Sequence, residues 1–290
     1  MFRGRQRGGG NLGVLLLGAQ MMNMGLENIP PVTLALVAGQ VAIFLNLLPQ
    51  YFPSAHNVCM SSYLVWHRGD WRRLLLAVFY HADDMHLYFN MASLLWKGRS
   101  LERRFGSPYF FWLVSVFTAL TSMGYVAINL LLEEKLHDHS YATQCAVGFS
   151  GVIFALKVVT THYTPPGLHY ALGFIPVPSR YIYWVELGLI QLVTPNASFT
   201  GHLAGILVGL LYIKGPLKPI MDTILRPASS RRFTQGGQRS GRRYGFFSSG
   251  TTGDGDYTAA QGGNGYYPNS GAGLYPDLDE LRQRRAARYQ

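Results

Sequence analysis

The chain has 290 residues, 48% of them hydrophobic and only 14% charged, against roughly 25% charged in an ordinary soluble chain. That depletion excludes a wholly disordered or highly solvated protein, and two cysteines, Cys59 and Cys145, exclude a disulfide scaffold or a cysteine-rich zinc protein. The net charge of +10 is partly local, with ten arginines and no lysine from Arg226 onward, which describes a basic tail rather than a basic core for nucleic acid.

Arg3, Arg5 and Arg7 precede a short apolar patch, Val14 to Leu17. The patch is shorter than a signal-peptide core and no small-residue cleavage site follows it. Residues 1–28 therefore read as a retained cytosolic segment containing an interfacial amphipathic helix. Pro31 to Pro49 then gives 19 residues without charge, close to the ~20 that cross a bilayer core. Tyr109 to Leu132 gives 24 uncharged residues, the clearest span in the chain. Four further stretches are shorter or more polar: Asp83 to Trp96, Ser150 to Val159, Tyr181 to Val193 and His202 to Ile213. Their clustering predicts an all-α, polytopic membrane protein, with six transmembrane helices within residues 29–216. Polar groups on such helices face the bundle interior and often mark function.

Basic residues set the orientation. Lys97, Arg99, Arg103, Arg104, Lys157, Arg180, Lys214 and Lys218 flank alternate connections, while Glu133, Glu134 and Asp138 occupy the loop between. Both termini are predicted to be cytosolic. Arg68, Arg72 and Arg73 fall on the wrong side for that rule. Residues 217–290 read as a cytosolic tail: apolar periodicity is absent between Ser229 and Gly273, so most of it cannot bury enough surface to offset chain entropy. Near its end, Arg284 and Arg288 share a face if the segment is helical.

Four polar features sit in or beside the apolar stretches. Gly148-Phe149-Ser150-Gly151 opens the fourth, and Gly201-His202-Leu203-Ala204-Gly205 opens the sixth. His86 and Asn90 lie four apart on one helix face of the second. Trp71-Arg72 lies in the loop before it. A serine hydroxyl becomes a nucleophile only when a base can take its proton, and imidazole suits that task. Ser150 is therefore the candidate nucleophile and His202 the candidate base. His86 and Asn90 are candidate oxyanion donors beside the Ser150 backbone N–H. Gly205 and Gly209 form a G-x-x-x-G pair that lets the sixth helix approach a neighbour, with Ala155 on the fourth as a suitable contact.

Each feature alone has a plainer reading: a serine at a helix start is commonly a cap, and tryptophan favours membrane interfaces. Occurrence of all of them on three separate apolar stretches favours hydrolysis within the membrane. The soluble hydrolase elbow needs glycine at position 152, which is Val152, and no His-Glu-x-x-His zinc motif occurs. The spacing in His81-Ala82-Asp83-Asp84-Met85-His86 matches no standard metal site, so no metal or cofactor is expected. Cys145 has no adjacent histidine to activate it; pairing with Cys59 across the loops is the other reading.

Taken together, the motifs resemble the rhomboid intramembrane serine proteases, and especially their endoplasmic-reticulum members. The resemblance runs over about residues 30 to 215. It rests on Trp71-Arg72, His86-x-x-x-Asn90, Gly98-x-x-Leu101-Glu102-x-x-x-Gly106, Gly148-x-Ser150-Gly151 and Gly201-His202-x-x-Gly205-x-x-x-Gly209. It implies a Ser/His dyad without a third acid, six core helices and transmembrane protein substrates. It also implies that the Trp71-Arg72 loop lies partly in the membrane, which answers the charge anomaly. By the same resemblance, the segment bearing Arg282, Arg284, Arg285 and Arg288 would bind the valosin-containing AAA ATPase in endoplasmic-reticulum-associated degradation. The ubiquitin-interacting pattern of such tails is not matched, because Asp277, Asp279 and Glu280 lack a following Ala-x-x-Ser. A non-catalytic rhomboid-like adaptor is the alternative, although both dyad residues are present.

Overall fold

The computed structural model describes residues 11–47 and 49–225. Its longer helices are α1 (Leu12–Met24), α2 (Pro31–Phe44), α3 (Asp84–Phe105), α4 (Ser107–Leu136), α5 (Ser150–Tyr163), α6 (Ile182–Val193), α7 (Phe199–Lys214) and α8 (Leu217–Leu225). Short helical turns at Ala55–Val58, Ser62–Trp66 and Arg73–Leu76 fill the α2–α3 connection. The fold is mostly helical, as the apolar stretches predict. It departs from a purely α architecture in one place: β1 (Leu168–Ala171) and β2 (Ile175–Pro178) pair as an antiparallel hairpin between α5 and α6.

Helix α3 sets the axis. The Asp83 carboxylate caps its first turn by accepting the His86 N–H at 2.8 Å, a standard way to satisfy an orphan donor. At its far end Glu102, buried on the same helix face as Gly98, accepts the N–H groups of Val32 and Thr33 at 2.9 and 2.8 Å and the Thr33 hydroxyl at 2.7 Å. A carboxylate thereby caps α2, where the helix dipole favours negative charge. A Cβ on Gly98 would come within 2.6 Å of Thr33 Oγ1, so only glycine lets α2 sit there. Gly106, at φ 84°, makes the turn from α3 into α4.

Asp84 and Glu102 are 18 residues apart, about 27 Å along the axis at ~1.5 Å per residue. That separation is the frame on which residues 13–28 are laid. The N–H groups of Gly13 and Val14 donate to the Asp84 carboxylate at 2.5 and 3.2 Å, and the Asn28 carbonyl accepts from Arg103 at 2.6 Å. Helix α1 and the short turn after it, to Asn28, therefore run together along α3. The helix is apolar on every side, with Leu17 buried and Leu12, Leu15, Leu16 and Met22 exposed. It is thus not the amphipathic helix the sequence suggested; a helix apolar all round belongs in a core or a bilayer. The described residues begin near the Asp84 end of α3 and end in α8 beside α4 and α7.

Helix α8 corrects the boundary at residue 217. It turns 71° from α7 and buries Leu217 and Met221 in the main core. The Tyr109 hydroxyl donates to Asp222 at 2.7 Å and lies 3.1 Å from the Tyr212 hydroxyl, tying α8 to α4 and α7. The tail expected to be disordered, with Arg282, Arg284, Arg285 and Arg288, lies outside the described residues from position 226 onward.

A helix stands at each of the six predicted stretches. Among the described residues α4 alone, 30 residues long, is apolar and long enough by itself to cross a membrane; α7 and α8 meet the test only as a bent pair. The main core lies between α3, α4, α5 and α7, around Leu87, Met91, Phe117, Phe149, Leu156 and Tyr212.

Candidate active site

Ser150 is the first residue of α5, and His202 lies in the first turn of α7. The Ser150 Oγ and His202 Nε2 atoms are 2.9 Å apart. Three glycines make that approach across 52 residues of sequence. A Cβ on Gly205 would lie 2.0 Å from the Gly151 carbonyl oxygen, and one on Gly209 would lie 2.7 Å from Val158 Cβ and 2.9 Å from the Ala155 oxygen. On Gly151 it would meet Thr121 Cγ2 at 2.7 Å. The helices touch backbone to backbone, the close packing that small residues permit. Ser198 starts α7 by accepting the Gly201 N–H at 3.2 Å, which fixes the turn bearing His202. A serine three residues ahead of the recipient N–H is the local signal for such a cap.

The His202 ring packs against Phe154 with centroids 4.7 Å apart. Its Nδ1 is buried and has no protein partner among the described residues, so no carboxylate orients this imidazole. Packing takes that role.

The structure brings His86 to the same place but leaves Asn90 on its own helix. His86 Nδ1 accepts the Ala82 N–H at 3.3 Å, so a neutral ring carries its proton on Nε2. That nitrogen faces Gly148, where a Cβ would come within 2.9 Å of Nε2 and 2.7 Å of Cε1. Gly148 also has φ 124°, and its N–H donates to the Ala77 carbonyl at 3.1 Å. Both sterics and backbone demand glycine there. Asn90 is buried, and one of its amide hydrogens is committed to the His86 carbonyl at 2.7 Å. His81, which the sequence presented only as a poor metal ligand, is buried and packs edge-on to His86 at 5.1 Å.

Depth follows from α4. Thr121, which abuts Gly151, lies halfway along that helix, about 21 Å from either end. A cavity of about 40 Å³ opens there beside Ser150, lined by Met60, Val78, Thr121, Ser122 and Gly201 among others. Its size admits a water.

Cys59 and Cys145 form a disulfide with Cα atoms 5.5 Å apart. Beside it, Met60 and Ala146 exchange backbone hydrogen bonds of 2.8 and 2.9 Å. The α2–α3 loop is thereby fastened to the segment leading into Ser150. The other sequence motif in that loop, Trp71-Arg72, does not reach the dyad. Trp71 is exposed and meets Trp66 edge-on at 6.1 Å, and Arg72 pairs with Asp70 at 3.1 Å with its side chain 82% exposed. Arg73, not singled out by the sequence, is the half-buried one: it pairs with Asp70 at 2.9 Å and donates to the Cys59 carbonyl at 2.7 Å. Partial burial works to raise the Asp70 carboxyl, but hydrogen bonds and charge from Arg72 and Arg73 outweigh it and hold it below its ordinary range.

A hydroxyl and an imidazole in contact at the start of two glycine-packed helices define the architecture of a membrane-embedded family. Residues 68–217 match the family described as Rhomboid domain, and the chain belongs to the rhomboid family. It is 47% identical to human Rhomboid-related protein 4 over 253 residues, covering 87% of this chain and 77% of that one. It is 50% identical to the mouse protein of the same name over 219 residues, covering 76% and 68%. A more distant relative, Rhomboid-type serine protease 2 of Eremothecium gossypii, is 28% identical over 184 residues, covering 61% and 66%.

Proposed function

We propose that this chain is an intramembrane serine endopeptidase that cleaves transmembrane protein substrates by a Ser150/His202 dyad. The observation that carries the reading is the 2.9 Å contact between Ser150 Oγ and His202 Nε2, on helices that glycine packing holds in fixed register. In the reaction His202 Nε2 takes the hydroxyl proton as Oγ attacks the scissile carbonyl. The oxyanion is met by the Ser150 backbone N–H at the start of α5 and by the protonated Nε2 of His86, with the second amide hydrogen of Asn90 as a further donor. The imidazolium then protonates the leaving amine, and water hydrolyses the acyl-enzyme with the same histidine as base. Trp71, Arg72, Gly148, Gly151, Gly205 and Gly209 shape the site and its approach.

The setting belongs to the same reading. Helices α2 to α7 make six crossings, with the shorter ones reaching the interface through their connections. The dyad end faces an oxidising lumen, a placement that the Cys59–Cys145 disulfide supports, and the compartment is the endoplasmic reticulum. Residues 226–290 are cytosolic, and the segment from Arg282 to Arg288 contacts the valosin-containing AAA ATPase in degradation of membrane clients, without direct ubiquitin recognition. The test is fluorophosphonate labelling of the full chain in mild detergent, comparing wild type with Ser150→Ala and His202→Ala. Labelling of wild type alone is expected. Equal labelling of wild type and Ser150→Ala, or none of any folded form, would leave the adaptor reading, in which client turnover survives Ser150→Ala.

A further inference from the structure

The hairpin between α5 and α6 has an outward face without a single charge. It lies at the end of the bundle opposite the dyad: α5 starts at Ser150 and ends at Tyr163, whose ring meets Phe105 at 5.4 Å and lies 4.1 Å under the Arg104 guanidinium. In the hairpin register His169 pairs with Val177 and Ala171 with Ile175. Ala171, Ile175 and Val177 pack with Phe154, Val158 and Ile182. The alternate pairs, Leu168 with Pro178 and Tyr170 with Pro176, point away. Leu168, Tyr170 and Phe174 are 66%, 60% and 69% exposed. An antiparallel pair with one face in water shows polar residues on that face; here the outward face carries Leu168, Tyr170, Pro176 and Pro178 and no charge.

The turn is also built for an apolar medium. Leu172 and Gly173 both have positive φ, 53° and 90°. Asparagine or glycine would take the first of these positions at little cost, whereas leucine is strained there. The Leu172 N–H is 3.4 Å from a Glu186 carboxylate oxygen, and Glu186 is in turn paired with Lys157. Glu186 lies four residues, or ~6 Å, into α6, so the tip reaches below the start of that helix. Irregular backbone at membrane depth requires its polar groups to be satisfied by protein, and this ion pair supplies a partner. Exposed Tyr181, just before α6, and Trp184 of α6 stand beside the hairpin, and Arg180, over the Tyr181 ring at 4.6 Å, marks its base. Aromatic rings with a basic residue are the pattern of a bilayer interface.

We infer that the Leu168–Pro178 hairpin is a membrane-inserted element, seated with Leu168, Tyr170, Leu172 and Phe174 in the phospholipid leaflet at the end opposite the dyad. The occupant is lipid because the face continues the surface of α6 in a membrane-embedded family, and its one polar side-chain group is the Tyr170 hydroxyl, on a ring of the kind that sits at a bilayer interface. The insertion does not depend on catalysis by Ser150.

Both native cysteines are in the disulfide, so one added cysteine can be labelled alone. Phe174→Cys and Tyr170→Cys replace exposed side chains and leave the core intact. Each is labelled with nitrobenzoxadiazole and reconstituted as the full chain, one molecule per phosphatidylcholine nanodisc, where both faces are open to water and no second copy is present. Thr143→Cys, in the exposed loop before Cys145, is the aqueous reference. The expected result is blue-shifted emission at positions 174 and 170. Iodide quenching there should be several-fold weaker than at 143, and quenching by doxyl-labelled phosphatidylcholine several-fold stronger. Iodide quenching equal to that at 143 would overturn the inference, and so would protection without quenching by the spin-labelled lipid, which would mean cover by protein.

Discussion

Around Ser150 two regions meet that are held by opposite means. The α5–α7 seam is a backbone contact, with Gly151, Gly205 and Gly209 leaving no space for a β-carbon. The loop between α2 and α3 has little core of its own: Met60, Val65 and Ala77 form a small cluster with Tyr125 and Val126 of α4. Its attachment comes from one disulfide, the Met60–Ala146 bridge, the Ser61 hydroxyl on the Ala142 carbonyl at 2.8 Å and the Gly148 N–H on the Ala77 carbonyl at 3.1 Å, while Arg73 braces the loop internally through Cys59. Catalytic geometry needs the first kind of support, because a nucleophile and base must hold register to a fraction of an ångström. A loop through which a substrate helix would approach is better served by the second, which anchors a few points and leaves the surface between them free to adjust.

That contrast can be broken deliberately. Gly205→Ala should have the largest effect, since its methyl would enter the Gly151 carbonyl at 2.0 Å. Overpacking against backbone is expected to cost about 3 kcal/mol or more, visible as a collapsed thermal melt and loss of fluorophosphonate labelling; near-wild-type melting would mean the seam is softer than its geometry implies. Cys145→Ser should cost about 2–4 kcal/mol and, if the loop is a separate support, should lower the melting temperature more than the labelling rate measured well below it. Gly148→Ala should do the reverse. Its left-handed backbone and the His86 ring together imply about 1–3 kcal/mol of strain, with labelling reduced beyond what the lost stability explains. The smallest effects sharpen the loop's anatomy: Arg73→Ala should cost about 1.5 kcal/mol through its charged hydrogen bonds, while Arg72→Ala stays within about 1 kcal/mol as an exposed pair. Equal losses for the two would sink the assignment of Arg73 as the brace.

The motifs carrying chemistry are short and local, and for that reason they are visible in the chain. Ser150 lies two residues after Gly148, whose φ admits no other residue comfortably, and His202 precedes two glycines spaced by one turn. Glu102 and Gly98 also stood in the quoted pattern, but their task, capping α2 through Val32 and Thr33, joins residues about 70 apart and has no local trace. Arg73 was passed over for Arg72 because adjacent arginines are indistinguishable by composition; only the fold decides which one turns inward. The hairpin was missed because Leu168 to Pro178 mixes prolines and glycines with apolar residues and shows neither helical periodicity nor polar alternation.

The sequence by itself determined a mostly helical rhomboid chain, the order of its helices and the residue types able to perform acyl transfer, because these depend on composition, local periodicity and short spacings. Tertiary structure decided which of those groups meet. It set Ser150 against His202, bonded Cys59 to Cys145, laid α1 along α3 from the Asp84 end, and extended the packed domain to Leu225. Each of these outcomes is a contact between residues far apart in the chain, fixed by whether a side chain or a bare glycine occupies the facing surface, and the packing of the whole bundle sets that condition.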